Sequence, residues 1–236
     1  SGLTSITITR NVSQIGIAPF SACTQLTEIN VDEANPYFSS LDGVLTDKNR
    51  TTIVAYPAGK GKRYIIPDGI TKIGTHSFFA CPITYIHTPN SVKTIELFAF
   101  ASCTDLDTII LGNSVDSIEG AAFRINDRLK TIYSMNPIPP AAHPEAFSSF
   151  SPMFFIQCTL HVPVGSLQAY KNAEVWKNFK NIVENDFTGI ERPSPDKAKI
   201  FGNKNSIAFR NIEPDTDISI YDTTGKCIKT FAVDGD

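Results

Sequence analysis

The sequence predicts a repeat solenoid, α/β in class and β-rich, with short parallel strands on the inner curve and short helical turns on the other side. Three observations predict it. A Val or Ile is followed three residues later by Ile, and five after that by Phe, in four copies: Val12, Ile15, Phe20; Ile70, Ile73, Phe78; Val92, Ile95, Phe100; and Val115, Ile118, Phe123. Three residues past each Phe stands Cys23, Cys81, Cys103 or Asn126, and a further Leu or Ile (Leu26, Ile83, Leu106, Leu129) leads to Ile29, Ile86, Ile109 and Ile132. The last three copies step by 22 or 23 residues. A fixed period of this size marks a repeat array, in which each unit buries its apolar face only against its neighbours.

Taken in chain order, Leu3-Thr4-Ser5-Ile6-Thr7-Ile8 is the strand half of a copy, 23 residues before Leu26, so the chain reads as opening inside a repeat. Each repeat then reads as a strand, a second short extended piece and about one helical turn. In Leu106-Asp107-Thr108-Ile109-Ile110-Leu111 the residues Leu106, Ile109 and Leu111 point inward, and the Pro or Gly and Ser that follow turn the chain. An insert over 32–62 interrupts the array. The cluster Pro137, Pro139, Pro140 and Pro144 makes the last coil irregular, before Leu160-His161-Val162-Pro163 repeats the strand exit. A cap over 164–185 follows, with helical spacing from Val164 to Phe179 and Ser166 as its N-cap, so that Tyr170, Trp176 and Phe179 cover the open end of the core. The solenoid thus occupies residues 3–185. The run Glu191-Arg192-Pro193-Ser194-Pro195-Asp196 marks a linker over 186–197. Beyond it, 198–236 reads as strands at Ala198–Arg210, Asp217–Asp222 and Cys227–Phe231, with a turn at Thr224-Gly225-Lys226.

Pro67-Asp68-Gly69-Ile70-Thr71-Lys72-Ile73-Gly74, Asn113-Ser114-Val115-Asp116-Ser117-Ile118 and Phe98-Ala99-Phe100-Ala101-Ser102-Cys103 resemble the turn, second strand and Phe-to-Cys segment of the BspA-like leucine-rich repeats of bacterial surface proteins. The insert from Asn35 to Pro57 resembles a hairpin found in such arrays, and Asn126 in place of Cys and the early Ile83 depart from the pattern. The stretch 198–236 resembles the start of the C-terminal β-sandwich that Bacteroidetes use in surface or secreted proteins. The resemblance implies a leucine-rich-repeat solenoid with a C-terminal β-sandwich fragment, in an extracytoplasmic, cell-surface or secreted module that works in adhesion or protein-protein recognition. Its partner would be a host or neighbouring-cell protein, with a glycan or a purely structural spacer role as alternatives.

A net charge of -3 and a pI near 5.8 argue against the basic field that nucleic acid or an anionic membrane requires. No stretch approaches the roughly 18 apolar residues of a membrane span, and no signal peptide lies in the given chain. The cysteines follow the repeat column rather than any CxxC or Cys-His metal spacing, and stacked coils bring them to about 4.8 Å, marginal for a disulfide between parallel side chains. The histidines His76, His87, His143 and His161 share no regular spacing, Gly59-Lys60-Gly61-Lys62-Arg63 reads as a solvated exit rather than a phosphate loop, and Asp105 and Asp107 alternate faces on a strand. No enzyme, cofactor or metal is therefore expected.

Strand parity instead supplies the candidate surface. Residues flanking the inward Ile face away from the core and form two columns: Ser5, Glu28, Arg63, Tyr85, Thr108 and Thr131, and Thr7, Asn30, Ile65, His87, Ile110 and Tyr133. Arg63, Ile65, Tyr85, His87, Ile110 and Tyr133 are expected to lie exposed side by side as an amphipathic aromatic patch, of the kind enriched in recognition surfaces.

Overall fold

This computed structural model describes residues 2–149, 151 and 153–187, and the backbone of four strands within 199–233. Its contacts divide the chain into Ser1–Pro193 and Ser194–Asp236.

In the first unit the coils stack in register. Ser5–Ile8 pairs in parallel with Glu28–Val31. A six-stranded parallel sheet then runs through Arg63–Ile65, Tyr85–His87, Thr108–Leu111, Thr131–Ser134, Thr159–Pro163 and Asn181–Asn185. Its inward column is Tyr64, Ile86, Ile109, Ile132, Leu160 and Ile182, partner to partner. β-branched residues suit such positions because they pack on the pleated, half-buried surface.

A second sheet carries the other edge of each coil. Lys72–Ile73, Thr94–Ile95, Ser117–Ile118 and Ala141–Ala142 pair in parallel. The insert extends this sheet: Phe38–Leu41 and Val44–Asp47 form a hairpin, and Thr52–Ala55 pairs antiparallel to the latter and parallel to Lys72–Ile73. The hairpin turn places Asp42 at φ 51° and Gly43 at φ 72°, the two positive angles that a two-residue hairpin linked by Asp-Gly requires. Tyr56 then rejoins the aromatic column, its ring stacked on Phe78 at 4.8 Å. Phe78, Phe100, Phe123 and Phe147 continue this ladder at 4.9 to 5.3 Å. The proline-rich stretch keeps the pairing of the array, Ala142 with Ile118 and Phe147 stacked on Phe123, but its coil is the irregular one expected: Thr131 pairs with Thr159 and the short helix Phe154–Gln157 lies between them.

The third side corrects the expectation of a helical turn. The coils of Phe20, Phe78, Phe100 and Phe123 instead place two residues at positive φ, two before and two after the Phe: Ala18 and Ala22, His76 and Ala80, Phe98 and Ser102, Ala121 and Ile125. Such angles cost about 1 kcal/mol per non-glycine residue. They turn alternate N–H groups along the stack, so that Phe98, Phe100 and Ser102 donate to the carbonyls of Gly120, Ala122 and Arg124 at 3.3, 2.8 and 2.7 Å. His76, Phe78 and Ala80 do the same to Leu97, Ala99 and Ala101. An α-helical turn would close these bonds within one coil; this turn uses them to join neighbouring coils.

The cysteine column does equivalent work with side chains. Cys103 Sγ donates to Phe78 O at 3.0 Å, Cys81 Sγ to Tyr56 O at 3.8 Å, and Asn126 Nδ2 to Phe100 O at 3.0 Å. Asn126 therefore preserves the function of the column it departs from in sequence.

At the C-terminal end of this unit, Tyr170 and Trp176 are fully buried and Phe179 nearly so. Trp176 Nε1 donates to Pro140 O at 2.7 Å and Tyr170 Oη to Asn136 O at 2.7 Å. The helix Leu167–Asn172 begins after Ser166, but Ser166 makes no side-chain cap. Glu184 Oε1 accepts from Gly165 N at 2.8 Å and from Leu167 N at 3.3 Å, so a carboxylate from the last strand satisfies the helix start.

Gly59, read from sequence as part of a solvated exit, lies against the second coil. Its N–H donates to Leu26 O at 2.7 Å, and a Cβ there would sit 2.7 Å from Thr24 O and 2.8 Å from Leu26 O. Apolar burial forms two clusters, one around Ile8, Leu26, Ile29, Leu45 and Ala55 and one through the remaining coils to the cap.

In the second unit, Lys199–Asn203 pairs antiparallel with Ser206–Arg210, and Thr216–Tyr221 with Cys227–Val233. The single strand expected over 198–210 is thus two antiparallel strands. The turn expected at Thr224-Gly225-Lys226, the linker from Thr188 onward and the side-chain packing of a β-sandwich lie outside the described residues.

Candidate recognition face

Register places the candidate side chains in the two expected columns along the six-stranded sheet. Arg63, Tyr85, Thr108 and Thr131 are mutual neighbours, as are Ile65, His87, Ile110 and Tyr133. Ser5 pairs with Glu28 and Thr7 with Asn30, but these four belong to the separate two-stranded sheet. The second column runs further than the sequence reading carried it, since His161 pairs with Tyr133 and Val183 with His161.

The expected exposure is corrected. Arg63 is exposed and Ile65 and Tyr133 are half-buried, whereas Tyr85, His87 and Ile110 retain only 9%, 2% and 3% of their surface. At one end the Arg63 guanidinium lies over the Tyr85 ring, 3.9 Å from its centroid, a cation–π contact that shields the ring. At the other, the Tyr133 and His161 rings stack at 4.5 Å with planes 18° apart. Phe187, just beyond the last strand, stands edge-on to Tyr133 at 6.4 Å and 71°, and is itself only 8% exposed.

Phe187 also borders a cavity of about 260 Å³ on this face, together with Asp186, His87, Asn90, Asn113 and Met135. The three last-named residues lie where strands leave the sheet. Asn113 N donates to Asn90 Oδ1 at 3.0 Å, so the exit turns form an amide row beside the cavity. Phe187 carries no repeat signature, being an isolated aromatic in polar sequence, and sequence reasoning missed it. His161 could have been found, since it flanks Leu160 with the parity by which Tyr133 flanks Ile132.

Burial pushes the Cys81 and Cys158 thiols up to about 12 and raises that of Cys103 strongly, leaving them protonated and poorly nucleophilic at neutral pH. Loss of hydration lowers the affinity of His76 and His161 for protons. Asp105 and Asp107 pair with Arg128 at 2.9 Å and Lys130 at 3.4 Å on the next coil. Among the described residues, no three of His, Cys, Asp and Glu converge as metal ligands, and no helix is long and apolar enough to cross a membrane.

The fold is similar to that of the pneumococcal vaccine antigen PcpA, with a TM-score of 0.52 and 19% identity over 78% of this chain and 56% of the antigen's. The chain thus spans little more than half of that structure. It also matches, at a TM-score of 0.44, a leucine-rich cell surface protein from Faecalibacterium prausnitzii, at 20% identity over 78% of this chain and 48% of that one. A leucine-rich repeat protein from Eubacterium ventriosum matches at a TM-score of 0.44 and 17% identity, covering 78% of this chain and 58% of that one. No curated protein matches the sequence. Six copies of the BspA type leucine-rich repeat match residues 1–41 and 57–161, leaving between them only the hairpin turn and the strands that lead back to Tyr56. With its repeats matched over more than half its length, the chain belongs to the BspA type leucine-rich repeat family.

Proposed function

We propose that this chain is a non-enzymatic recognition module of the bacterial cell surface or exterior, and that it binds a host or neighbouring-cell protein through the six-stranded sheet. The carrying observation is that the register sets the exposed Arg63 and the half-buried Ile65 and Tyr133 on one face, over the buried Tyr85, His87 and Ile110 of the same two columns, so that cationic, apolar and aromatic groups share it. Interfaces draw much of their affinity from such Tyr and Arg groups, with surrounding contacts excluding water. Under this reading Arg63 sets polarity and Tyr133 anchors. Residues 3–185 form the binding solenoid, with the insert over 32–62 and cap over 164–185, and 186–197 joins it to a partial β-sandwich over 198–236. Sugar stacking has less support, since Trp176 is fully buried in the cap.

The test is binding of the full chain to a panel of extracellular matrix proteins and glycans, against an Arg63→Ala, Tyr133→Ala variant with an unchanged melting curve. Protein binding that the variant loses by about tenfold or more supports the reading. Equal binding by both chains, or binding to glycans alone, overturns it.

A further inference from the structure

Phe187 has the geometry of a bound group rather than of the start of a linker. It follows the last strand, in which Val183 is still 45% exposed, yet its own ring is removed from water against Tyr133. Its backbone sits at φ 58°, which an aromatic residue adopts reluctantly. Asn185 Oδ1 fixes that turn by accepting from Phe187 N at 2.6 Å. The seat also has room: about 260 Å³ remains open beside the ring, between Asp186, His87 and the amide row of Asn90 and Asn113.

We propose that this groove is a receptor for an aromatic side chain of a partner peptide, and that Phe187 occupies it in cis. A partner of that chemistry binds by displacing Phe187, so the recognition face is regulated by a residue that follows the chain's own strand Asn181–Asn185. The inference rests on the face being a recognition surface and adds what it recognises. Two features make displacement accessible: release relaxes the positive φ of Phe187, and the ring is held by one edge-on aromatic contact rather than by a ladder. Burial of one Phe still leaves the open state a minor fraction, on the order of a tenth or less, which lowers the apparent affinity of any competitor in proportion.

The probe is a synthetic peptide with the sequence of residues 183–190, Val-Glu-Asn-Asp-Phe-Thr-Gly-Ile, and a control with Ala for Phe. Binding to the full chain and to its Phe187→Ala and Phe187→Leu variants is followed by NMR shifts of the Tyr133 and His161 rings. The expected result is about tenfold or more tighter binding of the Phe peptide by Phe187→Ala than by the unaltered chain, with no binding of the control. Should Phe187→Ala fail to fold, Phe187→Leu keeps apolar bulk while losing the ring contact and gives the same comparison. Equal binding by variant and unaltered chain, or no preference for Phe over Ala, overturns the inference. Protein binding in the panel without peptide binding removes the seat and keeps the recognition reading; peptide binding without protein binding does the reverse.

Discussion

Asn126 Nδ2 donates to Phe100 O at 3.0 Å, the same distance and role as Cys103 Sγ to Phe78 O one coil earlier. Both are fully or almost fully buried, and both satisfy the carbonyl of an aromatic-ladder residue that the left-handed turn leaves facing the next coil. Asn126 Oδ1, however, has no hydrogen-bond partner. Restoring the thiol in Asn126→Cys should be neutral or stabilising by about 1 kcal/mol, while Asn126→Leu leaves Phe100 O unsatisfied and should cost about 1–3 kcal/mol. Urea denaturation of both variants decides this; equal stability would show that the column acts by packing alone.

Gly59 joins the insert's exit to the second coil. In Gly59→Ala the new Cβ meets the backbone of Thr24 and Leu26 at 2.7 and 2.8 Å, and backbone cannot swing away as a flexible side chain would. The expected cost is about 2 kcal/mol or more. Amide exchange should quicken first in Leu26–Val31, and unchanged protection there would refute the close approach.

Trp176 closes the end of the core and donates to Pro140 O. Trp176→Phe keeps an aromatic but strands that carbonyl, for about 1–3 kcal/mol, and Trp176→Ala adds a cavity, for about 3–5 kcal/mol. Thermal unfolding should rank the two in that order. A variant pair of equal stability would mean that the hydrogen bond, not the ring, dominates.

His161 and His76 both have folded-state proton affinities below that of the unfolded chain, from loss of hydration. The unfolded state then binds more protons below about pH 6.5, so the stability these neutral rings preserve is complete above that value and is lost as pH falls through their depressed pKa values. In His161→Gln the fall in thermal midpoint between pH 7.5 and 5 should be smaller than in the unaltered chain. An identical fall would assign the effect to His76 or to other groups.

Much of the array is legible in sequence because its determinants are local and repeated. The Val–Ile–Phe spacing places Phe78, Phe100 and Phe123 on one ladder, and strand parity puts Ile86, Ile109 and Ile132 inward with Tyr85 and Thr108 outward. The proline-rich coil hid the continuation to Phe147, since Ala142 is too small to stand out where Ile118 does in the coil before. The strand Asn181–Asn185 was hidden in the cap because its register comes from pairing with Thr159–Pro163 rather than from any repeat spacing of its own. The turn's two left-handed residues have no shared identity, being Ala, His, Phe, Ser and Ile in different coils, so only their common inter-coil hydrogen bonds reveal them.

The sequence by itself determined the solenoid, its period, its inward columns and the candidate face, because residues 22 or 23 apart become neighbours once each coil repeats the last. Tertiary structure alone decided which of that face is open. Phe187 reaches Tyr133 across 54 residues of chain (187 − 133), and Arg63 covers Tyr85 by a side-chain orientation that periodicity does not encode. Solvent access depends on contacts between residues that share no spacing, and those contacts exist only after the coils have stacked.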